Sequence, residues 1–229
     1  MQKFTSILIL LFLLFGATAI SAAEDEDPFG KPDKERLEEL NKVIKEDYDK
    51  MENISWYLNA NSSYLNGLEL YTGDYKEKGF ALLRFRAGTK GDGWIFFKKI
   101  IILADDERYV IDFDYLARET EVVGGSCYET VDVPIYMFVY DEEKLVKDLD
   151  VDIDKARLTE FKSIFDKQCV LTLDDAKKIA SASEVIIRFS GDKYREFKIR
   201  DKQLQPLRDT MQYYLWILTD IGEKANAAK

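Results

Sequence analysis

Hydrophobic spacing changes twice along the chain, and the two changes divide it into segments. From Asp33 to Leu58 the apolar residues Leu37, Leu40, Ile44, Met51, Ile54 and Leu58 fall three or four apart with charges between them. That is the stripe of one helical face, and it predicts a helix over 33–58 packed on its own domain. From Tyr64 to Ile135 the pattern turns to β-rich runs: "YLNGLELYTG", "FALLRFRAG", "WIFFKKIIILA", "RYVIDFDY", "RETEVV" and "SCYETVDVPI". Gly73 and Gly79, "GTKGDG", "DDE" and the Gly124–Gly125 pair separate them, which is the turn chemistry of an antiparallel meander. After Pro134 helical spacing returns in "DEEKLVKDL", "DKARLTEFKSIFDK" and "TLDDAKKIASA", the last opened by a capping box of Thr172 and Asp175. "EVIIRFSGDKYREFKI" predicts a hairpin around Gly191. A final helix over 201–221 would bury Leu204, Leu207, Met211, Tyr214, Leu215 and Leu218, with Pro206 near its start. Strands and helices kept apart in this way predict an α+β fold: an antiparallel meander packed against a long N-terminal helix and C-terminal helices. The domain would run over 33–222, sheet-rich over 64–135 and helix-rich over 136–222, with a tail at 223–229.

The run "WIFFKKIIILADDERYVIDF" (Trp94–Phe113) is nearly as apolar as a membrane segment but carries two lysines. The apolar run that turns bound within it is roughly ten residues, too short to cross a bilayer as a helix, and its β-branched content suits a strand. A turn centred between Asp105 and Asp106 places Lys99 opposite Asp112 and Phe97 opposite Asp114, although "ADDERY" offers no glycine for that turn. A hairpin through "GTKGDG" would set Phe85 against Phe96, Leu83 against Lys98 and Ala81 against Ile100. Alternation then sorts these strands into two faces. Ala81, Leu83, Phe85, Phe96, Ile100, Ile102, Tyr109, Ile111 and Phe113 form a core face on which only Lys98 is misplaced. Leu82, Arg84, Arg86, Ile95, Phe97, Lys99, Ile101, Val110, Asp112 and Asp114 form a mixed face. "ALLRFRAG" and "VIIRFSGD" share the same pleat, an apolar triplet followed by Arg-Phe before a turn.

The N-terminus changes the compartment. "MQKFTSILILLFLLFGATAISAA" has the early lysine, apolar run and small-residue end of a cleaved signal peptide over 1–23, followed by a flexible acidic stretch over 24–32. Export makes the mature chain periplasmic or extracellular, with no further apolar run to insert into a membrane. Cleavage removes Lys3, so the formal charge of −10 becomes −11. Such acidity disfavours nucleic acid and anionic lipid as partners. In an oxidising compartment Cys127 and Cys169 suggest one disulfide, worth about 4 kcal/mol in the chain-entropy account.

The candidate chemistry is narrow. The chain contains no histidine, which removes Ser-His-Asp and Cys-His catalysis and imidazole metal sites. The two cysteines form no C-x-x-C pair, and no Walker or G-x-G-x-x-G loop follows a strand. "DLDVDID" opens like a calcium loop, but Lys155 stands where glycine is needed and Phe161 where the bidentate glutamate belongs. Acid pairs such as Asp112 with Asp114 or Glu119 with Glu121 are too common here to single out a hydrolase. Asn53 and Asn61 head N-x-S sequons that matter only in a eukaryotic source.

"GWIFFKKIIILADDERYVIDF", followed by "ASEVIIRFSGDKYREFKI" and a helix ending in "YY", resembles a group of exported bacterial α+β domains. In that group a W-[LI]-F strand precedes a second aromatic strand, and an R-F-x-G hairpin precedes a C-terminal helix. The resemblance spans Phe80 to Tyr214 and implies a fold but no activity. The sequence therefore predicts a non-catalytic, cofactor-free exported protein that binds another protein, a second copy or an envelope assembly such as a filament or sheath. Arg84, Arg86, Phe97, Lys99, Asp112 and Asp114 are the candidate contact residues. The alternative is a glycan- or small-ligand-binding protein in which Trp56, Trp94 or Trp216 stacks on sugar rings.

Overall fold

The structure is a computed structural model that describes residues 29–75, 80–112, 118–135 and 171–227. The expected signal peptide, the acid-rich "DLDVDID", two of the expected helices, Phe113, Asp114 and Cys169 lie outside those residues. Helix α1 (Lys34–Val43) is capped by Asp33, whose carboxylate accepts the Arg36 N–H at 2.8 Å. The helix stops at Val43, and the chain continues as a hairpin of β1 (Ile44–Asp49) and β2 (Ile54–Asn59). The predicted 33–58 helix is thus corrected to ten residues. Asp49 supplies the reason: its carboxylate accepts the N–H groups of Met51 and Glu52 at 2.8 and 3.2 Å, a side-chain turn that competes with helix. Asn53 completes the reversal at φ 55°, leaving Met51 92% exposed and Ile54 in the core.

Eight further strands follow: β3 (Gly67–Tyr75), β4 (Phe80–Gly91), β5 (Lys99–Ala104), β6 (Glu107–Asp112), β7 (Arg118–Val123), β8 (Ser126–Pro134), β9 (Val185–Ser190) and β10 (Tyr194–Ile199). Helices α2 (Leu173–Ser181) and α3 (Asp201–Ala227) complete the described chain. The fold is α+β and mostly strand, with two antiparallel sheets ordered β1-β2-β3-β4-β8-β7 and β10-β9-β5-β6. A meander therefore holds only from β1 to β4, and the long helix is the C-terminal one, not an N-terminal one.

The expected β4–β5 hairpin does not form. β4 runs on through "GTKG" to Gly91 and pairs with β8, Gly91 opposite Cys127, while β5 crosses to the other sheet. The β5–β6 hairpin has the expected register, Lys99 opposite Asp112. Its turn needs no glycine because Asp105 takes φ 49° and accepts the hydroxyl and N–H of Ser183 and the N–H of Glu184. Those bonds, the Ser183 hydroxyl first, hold the Asp105 carboxyl below its ordinary value.

Between the sheets, Trp94–Lys98 is not strand, and its burial alternates in the opposite phase to the one expected. Phe96 adopts φ 48° and is 44% exposed, while Ile95 and Phe97 are buried. Lys98 N–H donates to the Ser190 carbonyl at 2.9 Å and Lys99 pairs with Ser190 as well, two residues against one as in a β-bulge. The extra residue turns Lys98 to solvent, off the core face that strict alternation assigned it. Ala81, Leu83, Phe85, Ile100, Ile102 and Ile111 do lie in the core, where the buried faces of both sheets and the helices form one cluster.

α2 carries the full capping box, Thr172 Oγ1 accepting from Asp175 N–H and Asp175 accepting from Thr172 N–H. α3 lies on the inner face of the six-stranded sheet, Tyr213 against Tyr57 with ring centroids 5.3 Å apart. Its buried Asp209 binds Arg36 of α1 at 2.6 Å, Asn59 of β2 at 3.1 Å and Gln205 at 2.8 Å. No helix among the described residues is long and apolar enough to cross a membrane.

Candidate functional site

The register of β3, β4 and β8 fixes what shares the opposite, outer face of the six-stranded sheet. Glu69 stands opposite Arg86, Tyr71 opposite Arg84, and Arg86 opposite Asp132. With a period of two, all five side chains leave the same face. Trp56 joins them because it stands opposite Gly73, where an added Cβ would come within 2.6 Å of the indole ring.

These groups form one connected cluster. Arg84 Nε donates to Asp132 Oδ1 at 2.8 Å, Arg86 Nε lies 3.5 Å from Asp132 Oδ2, and Arg86 Nη1 donates to Glu69 Oε1 at 3.3 Å. The Tyr71 hydroxyl donates to Asp132, and Ser62 donates to Glu69 Oε2 at 2.8 Å. The Arg86 guanidinium lies 4.8 Å from the Tyr71 ring centroid and 5.3 Å from that of Tyr64, with Trp56 5.5 Å from Tyr71. Burial is graded. Glu69 and Tyr71 are buried, whereas Arg84, Arg86 and Asp132 keep 26–33% of their side chains exposed. Burial pushes the Glu69 carboxyl up, against the pull of Ser62 and Arg86. Burial, followed by the bond to Asp132, pushes the Tyr71 phenol up to about 12. Planar donors and aromatic faces are thereby held in fixed positions, an arrangement suited to recognition.

Of the six residues expected from sequence, only Arg84 and Arg86 meet here. Lys99 and Asp112 face one another in the four-stranded sheet, so the anticipated Arg84–Lys99–Asp112 band is divided between two sheets. Phe97 is core, 1% exposed with its ring 5.2 Å from that of Phe189. Asp114 lies outside the described residues. Sequence reasoning missed Glu69, Tyr71, Tyr64 and Asp132, and it named Trp56 only as a residue that could stack on a sugar ring. The alternation of Glu69 and Tyr71 in "GLELY" was the available signal, but β8's place beside β4 is a long-range choice that local spacing does not encode.

A second buried carboxylate holds the segment between the sheets. Glu129 of β8 is wholly buried and accepts Ile95 N–H at 2.7 Å and Phe97 N–H at 3.1 Å. Cys127 on the same strand is buried and has no disulfide partner among the described residues, Cys169 lying outside them. Also among those residues, no three His, Cys, Asp or Glu side chains gather as a metal-holding group. No known protein family, curated protein or solved structure matches the chain.

Proposed function

We propose that this is an exported, non-catalytic α+β protein that binds a protein partner, or a second copy within an extracytoplasmic assembly, through the outer face of its six-stranded sheet. The outer-face cluster supports this reading. Arg84 and Arg86 are ordered in advance by Asp132, Glu69 and two tyrosine rings but stay partly open to solvent, beside the half-buried Trp56 and the 36%-exposed Leu58. Preordered arginine and aromatic groups are the anchors that dominate protein interfaces, because little side-chain entropy remains to be lost on docking. Among the described residues α3 packs on the opposite face of that sheet.

The test is capture of a native partner from an envelope extract by immobilised mature protein, compared with the variant Leu58→Asp/Arg84→Ala. The variant is expected to lose at least tenfold in capture with its melting temperature within a few degrees of wild type. Undiminished capture by a folded variant would overturn the reading. Trp56 is the observation behind a second reading, stacking on a sugar ring, since its indole is half-buried next to Tyr71. Quenching of tryptophan fluorescence by glycans, absent in Trp56→Phe, would support that one instead.

A further inference from the structure

Strand β7 is built unlike the other strands. It ends in the two-residue turn Gly124–Gly125, both at positive φ (57° and 82°), the type I′ geometry that closes a tight hairpin with β8. Among the described residues β8 is its sole strand partner, and every residue from Glu119 to Gly125 is exposed on whichever face it points. Val122 and Val123 are 60% and 49% exposed. β7 thus projects as an arm with one bonded edge and one open edge.

The turn fixes which backbone groups reach the open edge. Val123 and Ser126 flank a two-residue loop and form its closing hydrogen-bonded pair. Pairs in an antiparallel ladder alternate between bonded and non-bonded. Glu119, Glu121 and Val123 therefore spend their N–H and C=O groups on β8, and Thr120 and Val122 turn theirs outward. The side chains of Glu119 and Glu121 leave the outer face, opposite Thr130 and Tyr128, while Thr120 and Val122 point to the other face.

We infer that this edge accepts an added strand from a basic extended peptide segment, with Lys or Arg at alternate positions and β-branched residues between them. The open N–H and C=O row supplies the main-chain bonds, and the two glutamates set the charge of the guest. A second copy is excluded as occupant by the same glutamates. Two β7 strands pairing antiparallel are related by a two-fold axis perpendicular to the sheet, which keeps each face on its own side. Every central register then sets Glu119 against Glu121, or one of them against itself, and directly opposed like charges destabilise a ladder. A guest with lysines in those positions converts each clash into a cross-strand ion pair.

The experiment is fluorescence anisotropy of the full chain with a blocked, labelled peptide of sequence Lys-Val-Lys-Thr-Lys-Val and its counterpart with Glu for Lys. The basic peptide is expected to bind at least tenfold more tightly than the acidic one. Thr120→Pro removes an outward N–H while leaving the β8 ladder bonded, which an edge strand tolerates. It is expected to weaken the basic peptide at least tenfold. Glu119→Lys/Glu121→Lys should reverse the preference, and it serves equally if the proline variant fails to fold. Equal binding of the basic peptide to Thr120→Pro would overturn the inference, since charge alone would then explain it. So would a dimer in sedimentation velocity that Thr120→Pro dissolves. Leu58→Asp/Arg84→Ala leaves this edge intact, so its peptide binding separates this inference from the outer-face reading.

Discussion

Tyr71 shows how much one buried group on a sheet face determines. Its hydroxyl donates to Asp132 and its ring lies under Arg86. Its phenol, raised to about 12 in the fold, titrates near 10 in an unfolded chain. The folded state therefore keeps the proton longer. The stabilisation is fully present below pH 10 and is lost as pH rises through about 12. Unfolding free energies of wild type and Tyr71→Phe across this range are expected to converge as pH increases. Parallel curves would show that Tyr71 titrates normally. At this scale the sequence was partly legible: alternation placed Ala81, Leu83, Phe85, Ile100, Ile102 and Ile111 in the core. It could not reveal Phe96 or Asp105 at positive φ. Neither is glycine, and each is held there by partners distant in sequence, Glu129 around the first and Ser183 beside the second.

Elements were legible where their determinants are local. The β5–β6 register, the β9–β10 hairpin at Gly191, the capping box of α2 and the apolar face of α3 all follow from neighbours within a turn or two. Helix 33–58 failed because Leu37, Leu40 and Ile44 keep helical spacing as far as the start of β1, and spacing alone does not weigh the Asp49 side chain, which captures two amides and closes the β1–β2 hairpin. What holds the short α1 to the rest is Asp209, which joins α1, β2 and α3 through three side-chain partners. Asp209→Ala would leave Arg36 and the buried Asn59 amide without that acceptor. The expected loss is about 2–4 kcal/mol in chemical denaturation. Hydrogen exchange should show α1 losing protection before α3, and simultaneous loss would argue that α1 is held by packing alone.

Across the whole molecule the two sheets are fastened by a carboxylate that no local pattern singles out among so many acids. Glu129 leaves β8 of one sheet and grips the segment that leads into β5 of the other. Glu129→Ala orphans two amides at a dry position and is expected to cost about 2–5 kcal/mol, with Glu129→Gln, which keeps one acceptor, costing less. Equal stability of all three proteins would mean that water replaces the clamp. The strand it leads into has a further property that concerns time. β5 lies between β6, its neighbour in sequence, and β9, from which residues 105–184 separate it. A chain made from its N-terminus can close β5 on β6 at once, but the other edge of "KIIILA" must wait until β9 has been synthesised. During that interval an isoleucine-rich strand edge has no native partner, so the nascent chain is most open to aggregation or chaperone capture before its last strands and helix emerge.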